Sequence, residues 1–419
     1  MKKFKTLLIV ALSVCMLGSC ISACGQTIST SEETQDTDTT QTVSEAKEVT
    51  VAKSSYTYTG SAIKPAVTVT ATDGSIISDD NYSVSYASNK SIGTATVTVT
   101  LSGDYDGTLT TTFKIVPKKS KIKSVTSKKK GFTVKFKKVS TKIITGYQIQ
   151  YSTKKSFSSS KKKNISSSKT SKKITGLKGG KKYYIRIRTY KTVNGAKYYS
   201  AWSAVKSVKT CKYLIAIDAG HQRYANSSLE PIGPGSSTKK AKVTGGTTGV
   251  VTGLTEYNLN LQVAKKLQKV LTNRGYEVYM IRTSNNVNIS NATRAKRANK
   301  KGADIFLRIH ANGSSSSSTT GAQTICMTSS NPYNSYLYKK SYKLSKAVLK
   351  AYTKKTGISS EGVKTRDDLT GTNWSKVPVT LIELGYMSNP TEDRKMANSS
   401  FQKKMAKGIA DGIDDYFGN

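Results

Sequence analysis

Only 2 histidines serve the whole 419-residue chain, and each follows directly on a short apolar run. His221 ends Leu214-Ile215-Ala216-Ile217-Asp218-Ala219-Gly220. His310 ends Asp304-Ile305-Phe306-Leu307-Arg308-Ile309 and precedes Ala311-Asn312-Gly313. That profile predicts buried strands, each delivering a ligand-capable side chain at its C-terminal end. Two isolated acids hold comparable positions: Glu256 opens an amphipathic helical pattern, and Glu383 closes the apolar run Val379-Thr380-Leu381-Ile382. Two imidazoles and a carboxylate form a ligand set for catalytic zinc, which keeps a fourth position open to water. Singly, each residue has a plainer account, as a histidine hydrogen-bonded at a strand rim or an acid complementing a helix N-terminus. Glu383 resists that account, because an ionised carboxylate ending an apolar strand needs a partner nearby. With 25 Asp and Glu against 67 Lys and Arg, acids are scarce, so two of them at element ends beside both imidazoles form a pattern.

The elements that must position these groups are legible from periodicity. Beyond residue 211, strands alternate with helices. A strand over 213–218 precedes a helix from 255 to about 273, with Leu259, Val263, Leu267 and Val270/Leu271 on one face and Gly275 ending it. A strand over 276–280 leads to a helix from 290 to about 301, closed by Gly302, and then to the strand bearing His310. A long helix near 336–354, a strand over 379–382 and a helix around 401–417 complete the segment. This order predicts an α/β domain with a mostly parallel sheet covered by helices on both faces. Ligands of such sheets lie beyond the carboxyl ends of the strands, where His221, His310 and Glu383 are expected.

The length implies two or three domains. A formal net charge of +42 is unevenly spread: residues 118–210 hold about 28 Lys and Arg and no acid at all. Nucleic acid would be the reflex partner for such a field, but the N-terminus points away from it. Met1-Lys2-Lys3-Phe4-Lys5 followed by an apolar stretch to about Ile21 reads as an export signal within residues 1–24. Leu17-Gly18-Ser19-Cys20 and Ile21-Ser22-Ala23-Cys24 both resemble the bacterial lipoprotein cleavage site, and Cys24, followed directly by a polar stretch, is the preferred lipid acceptor. The chain is therefore expected on the outer face of the cell envelope, lipid-anchored or, with an ordinary signal, released, and no nucleic-acid partner is expected. Residues 25–48 are Thr, Ser, Glu and Asp with almost nothing apolar and read as a disordered tether.

Residues 49–117 show short strands of period two, such as Ala95-Thr96-Val97-Thr98-Val99-Thr100, separated by turns such as Asp73-Gly74. They predict an all-β sandwich, and Tyr58-Thr59-Gly60 with Asn81-Tyr82-Ser83-Val84-Ser85-Tyr86 resembles a bacterial immunoglobulin-like repeat. Residues 118–210 predict a second all-β sandwich. Here Gly146-Tyr147-Gln148-Ile149-Gln150-Tyr151, Tyr183-Tyr184-Ile185-Arg186-Ile187-Arg188 and Tyr199-Ser200-Ala201-Trp202-Ser203 resemble a fibronectin type III domain. Its outward lysines suit either solubility or salt-sensitive adhesion to anionic wall polymers and membrane surfaces. Cys211 and Cys326 are read as non-ligands that could pair in an oxidising compartment.

Residues 211–419 resemble the zinc-dependent N-acetylmuramoyl-L-alanine amidases. The motifs are Ile217-Asp218-Ala219-Gly220-His221, Thr255-Glu256-Tyr257-Asn258-Leu259-Asn260-Leu261, Arg282-Thr283, Arg294 with Ala298-Asn299, Ile309-His310-Ala311-Asn312, and Glu383-Leu384-Gly385-Tyr386-Met387-Ser388-Asn389-Pro390. The resemblance implies that His221, Glu256 and His310 hold one zinc ion, that Glu383 is the catalytic acid–base, and that peptidoglycan is the substrate, cleaved between the lactyl group and L-alanine. A serine mechanism lacks a Gly-x-Ser-x-Gly elbow.

Two departures from the family pattern stand out. Between His221 and Glu256 lie roughly 34 residues rich in Gly, Ser, Thr and Pro, expected to form a loop over the cleft, which leaves the residue supporting His221 undefined. Arg308 replaces a usual small polar residue. Alternation places it on the face of His310, to grip a substrate anion or to form a surface salt bridge. Asn312 and Trp374 are further candidates for substrate contact. A wall-binding protein with an inactive amidase-like domain and another zinc-dependent wall peptidase remain open.

Overall fold

The computed structural model describes residues 45–418. The expected export signal, its candidate acceptor Cys24 and most of the expected tether lie outside the described residues. The first strand, Ala46–Val51, already begins within the stretch assigned to the tether, because Val49 finds a place in a core beside Val69 and Val99.

The first strands form two sheets. Ala46–Val51 pairs antiparallel with Val67–Ala71, and a four-stranded sheet runs in the order Ser55–Thr57, Thr108–Val116, Gly93–Leu101, Tyr82–Ala87. Alternation along Gly93–Leu101 buries Ala95, Val97, Val99 and Leu101 and turns the threonines outward, as a period of two requires. A second pair of sheets follows. One holds Ser171–Ile174, Gly131–Phe136 and Ile122–Lys128, and the other is built around Gly146–Ser152 and Lys182–Val193. Phe132, Val134, Phe136, Tyr147, Ile149, Ile185 and Ile187 close their common core. Lysines 161–163, 172 and 173, on edge strands, are exposed. This unit is tied to the last domain by Lys128 on Glu277 at 2.9 Å and Lys129 on Asp304 at 2.7 Å.

The last domain is numbered here from its own first strand. The strands are β1 (Leu214–Ala219), β2 (Asn226–Pro231), β3 (Lys239–Val243), β4 (Glu277–Met280), β5 (Ile305–Asn312), β6 (Ala322–Cys326), β7 (Ser360–Thr365) and β8 (Val379–Tyr386). The helices are α1 (Glu256–Asn273), α2 (Asn291–Lys301), α3 (Tyr338–Thr356), α4 (Thr370–Asn373), α5 (Pro390–Ala397) and α6 (Ser399–Phe417). Six strands form one sheet in the order β4-β1-β5-β8-β6-β7. β4, β1, β5 and β8 are mutually parallel; β6 joins β8 antiparallel and pairs parallel with β7. The sheet is thus mixed, with the parallel part holding every candidate site strand.

Side-chain alternation along β1 fixes the layers. Ile215, Ile217 and Ala219 pack against α1, α3 and α6 through Leu259, Val263, Leu267, Leu344, Val348, Ile409 and Ile413. Leu214 and Ala216 face the other way, toward Ala295 and Ala298 of α2. Glu383 does not close its strand, as expected from the apolar run: β8 continues to Tyr386, because Leu384 and Tyr386 still find buried places. Cys211 and Cys326 are both free and buried, so they form no bond with each other. Burial pushes the Cys326 thiol up to about 11. Among the described residues no helix is long and apolar enough to cross a membrane.

Candidate metal centre

His221, Glu256 and His310 meet at the carboxyl ends of β1 and β5. Their ligand atoms all lie within 4.8 Å of one another. His221 Nε2 lies 3.2 Å from Glu256 Oε2, His310 Nδ1 lies 3.1 Å from Glu256 Oε1, and the two ring nitrogens stand 3.1 Å apart. The rings cross edge to face, with centroids 4.8 Å apart. Burial lowers the His310 imidazole to about 4, so it is a neutral lone-pair donor at neutral pH, as metal ligation requires. Glu256 is held well below the ordinary carboxyl range: burial opposes this, but the hydrogen bonds from His221 and His310 outweigh it. Backbone N–H groups of Thr247 and Ala311 and the Asn260 amide also donate to Glu256. A carboxylate and two imidazoles with ligand atoms this close form a donor set that could hold a divalent metal ion.

Close packing requires glycine on two sides of this cluster. A Cβ at Gly220 would stand 2.3 Å from the His310 ring, and one at Gly246 would stand 2.7 Å from Glu256 Oε2. His221 itself takes φ +59°, a left-handed conformation that opposes an L-residue by roughly 1–2 kcal/mol. Two buried arginines hold the strained turn. Arg294 donates to the carbonyls of Ala219 and His221, and Arg282 to those of Ala219 and Gly220. Both arginines belong to the motifs quoted above, with no task assigned there. Arg282 is marked by the apolar Met280-Ile281 before it, whereas Arg294 stands among Lys296, Arg297, Lys300 and Lys301 and carries no local signal.

Asp218 also escaped assignment. It is fully buried between Arg294, at 2.8 Å, and Arg308, at 3.1 Å. Burial would raise its carboxyl, yet the charges of Arg294 and Arg308 outweigh that and hold it well below its ordinary value. Arg308 therefore shares the cleft with His310, as alternation implies, but its Nε and Nη2 already serve Asp218 and Asn291, and the pair is buried rather than on the surface.

The segment between His221 and Glu256 is more ordered than a loop. It contains the β2–β3 hairpin, whose turn end is fixed by Glu230 accepting from Ala292 N–H at the start of α2 and by Pro231 C=O accepting from Trp374. The undefined support of His221 comes from this segment: Nδ1 lies 2.8 Å from Thr244 C=O, which leaves Nε2 to the cluster. Trp374 packs at the turn end of the hairpin, with Lys296 over its ring at 3.9 Å. Asn312 accepts from Gly313 N–H and lies in register with Tyr386.

Glu383 sits beside His310 on the neighbouring strand. Its Oε2 is inaccessible and has no hydrogen-bond partner, a costly state for a carboxylate. Burial, aided by the Glu256 charge, pushes Glu383 up to about 8. His221, His310, Glu383 and Arg308 line one cleft of about 370 Å³, with Lys240, Val243 and Thr244 on the hairpin side and Asp368, Leu369 and Thr370 opposite.

Two segments of the chain match known families. Residues 215–415 match the profile of the N-acetylmuramoyl-L-alanine amidase family, and residues 116–207 that of the fibronectin type III domain. The amidase LytC of Bacillus subtilis is 30% identical over 165 residues, 39% of this chain and 32% of that protein. AmiA of Escherichia coli is 25% identical over 247 residues, 47% of this chain and 85% of that protein. The chain thus spans about a third of the first relative. Among solved structures, the amidase Ami1 of Mycobacterium smegmatis superposes with a TM-score of 0.46 at 24% identity, over 49% of this chain and 97% of that one.

Proposed function

Because residues 215–415 belong to the N-acetylmuramoyl-L-alanine amidase family, we propose that this chain is a zinc-dependent hydrolase of peptidoglycan. It cleaves the amide between the N-acetylmuramic acid lactyl group and L-alanine of the stem peptide. The observation that carries this reading is the convergence of His221, Glu256 and His310 beside an unpartnered Glu383 within the family-matching segment.

His221, Glu256 and His310 would hold the ion. Zinc bound there would supply Lewis acidity to the scissile carbonyl, acidify water and, as a positive charge, favour the ionised form of Glu383. Glu383 takes a proton from the attacking water at its carboxylate and returns it to the departing alanine nitrogen. Thr244 C=O fixes the His221 ring. Arg282 and Arg294 fix the turn from which that ring projects, and Asp218 neutralises the two guanidiniums that burial would otherwise leave uncompensated.

The regions before residue 211 serve delivery. An N-terminal signal exports the chain and anchors it through Cys24, and the lysine-rich fibronectin type III unit adheres to anionic wall polymers. Residues 49–117, 118–210 and 211–419 act as spacer, tether to the wall and catalyst. The deciding experiment is mass spectrometry of digested peptidoglycan. Free stem peptides beginning with L-alanine support the reading; intact glycopeptides or cleaved crosslinks overturn it.

A further inference from the structure

On one wall of the cleft two cations answer a single carboxylate. Among the charged groups lining it, Arg308 is paired with buried Asp218. Asp368, on the wall opposite the hairpin, is already gripped by both nitrogens of a fork: Arg366 Nε lies 2.9 Å from Oδ1 and Nη2 2.7 Å from Oδ2. Lys240 of β3 reaches across the cleft to the same carboxylate at 2.7 Å. Asp368 would be neutralised by Arg366 without it, so Lys240 is a second, replaceable cation on that carboxylate.

The pair is also poised to exchange. The side chains of Lys240 and Asp368 are 47% and 40% exposed, and an exposed ion pair is stabilised only weakly. The backbone that presents Lys240 is not loose, however. β3 is paired with β2, and β2 is fixed by Glu230 on α2 and by the Trp374 indole. A cation on a fixed hairpin, held by a cheap and replaceable partner, is a preorganised anion receptor.

We propose that Lys240 is a specificity-determining residue that receives a carboxylate from the peptide side of the substrate, with Asp368 holding its ammonium until the substrate arrives. This rests on the amidase reading. The unsubstituted glycan beside the scissile amide offers hydroxyls and N-acetyl groups, which carry no charge, so the anion that Lys240 receives comes from the peptide.

The test compares two synthetic muramoyl peptides that differ only in whether the residue after L-alanine carries a free carboxylate or a carboxamide. Wild type is expected to favour the acid by about tenfold in kcat/KM, through KM. Lys240→Gln removes that preference. Lys239→Ala, which deletes the same charge from the next residue, retains it and so separates recognition from the general field of a basic chain. Asp368→Asn, which releases Lys240, lowers KM for the acid. A preference unchanged in Lys240→Gln overturns the proposal, as does one lost equally in Lys239→Ala. A wild type that cleaves both peptides alike overturns this proposal alone, whereas one that cleaves neither overturns the amidase reading together with it.

Discussion

In the proposed reaction Glu383 and the clustered His221, Glu256 and His310 have separable tasks, and single substitutions distinguish them. Glu383→Gln keeps the shape of the cleft but removes the proton acceptor. It is expected to bind zinc with the stoichiometry of wild type and to lose about 10²–10⁴-fold in turnover; metal analysis beside a steady-state assay reads both, and near-normal turnover would sink the assignment. His310→Ala is expected to fail at the earlier step, releasing the metal on dialysis. Asp218 belongs to a different category, since it meets no substrate. Asp218→Asn leaves Arg294 and Arg308 facing each other in a buried space and is expected to destabilise the domain by roughly 3–5 kcal/mol. The sign with pH follows from a folded-state carboxyl held below its ordinary 3.8. Its stabilisation is complete above that value and shrinks as pH falls from there through the folded-state value. Urea unfolding at a series of acidic pH values should therefore show wild type and Asp218→Asn converging; a constant gap would contradict the ion-pair account.

At the scale of elements, two features position the centre. α2 begins with Ser290 accepting from Thr293 N–H and ends at Gly302 with φ +65°, so its register, and with it Arg294, is fixed at both ends. Ser290→Ala is expected to lower the melting point, by a cap worth about 1 kcal/mol, without altering KM. The second feature is the segment after His221. Gly246 takes φ +83° and packs against Glu256 and His221, so Gly246→Ala should displace a ligand rather than unfold the domain. Zinc affinity is expected to fall about 10–100-fold, measured by competition with a chromophoric chelator; unaltered affinity would mean that the backbone yields there at little cost.

For the whole molecule, charge is concentrated where chemistry is not. The sandwich spanning 118–210 presents exposed lysines on edge strands and contains no acid, whereas in the last domain Asp218 and Glu256 are buried at the site and Glu277, Asp304, Asp368, Asp411 and Asp414 are in ion pairs. Retention of the chain on purified walls is expected to fall steeply with added salt. Replacing Lys161, Lys162 and Lys163 by Gln should shift elution to lower salt while hydrolysis of a soluble muropeptide stays the same. Equal elution of the two proteins would remove the adhesive role from this strand.

Much of this was legible in the linear chain, because periodicity and element ends are local properties. The spacing of Leu259, Val263 and Leu267 sets a helix that begins at Glu256, and the apolar runs before His221 and His310 set the strands that present them. The β2–β3 hairpin, β6 and β7 were not legible. Their residues are polar on the exposed side, and β6 is held by pairing with β8 and β7 rather than by its own pattern. The loss of freedom in ordering them is offset only by neighbours distant in sequence.

Residue types and their order along the chain were enough to single out His221, Glu256 and His310 as a candidate ligand set and to find the likeness of residues 211–419 to the amidase family. Tertiary structure alone decided which charges answer which. Asp218 meets Arg294, 76 positions away, and Lys240 meets Asp368, 128 positions away. Thr244 C=O, rather than a nearby acid, supports His221. Pairings of this kind depend on burial and on distances of a few ångströms between separate elements, and neither quantity exists until the sheet has brought those elements together.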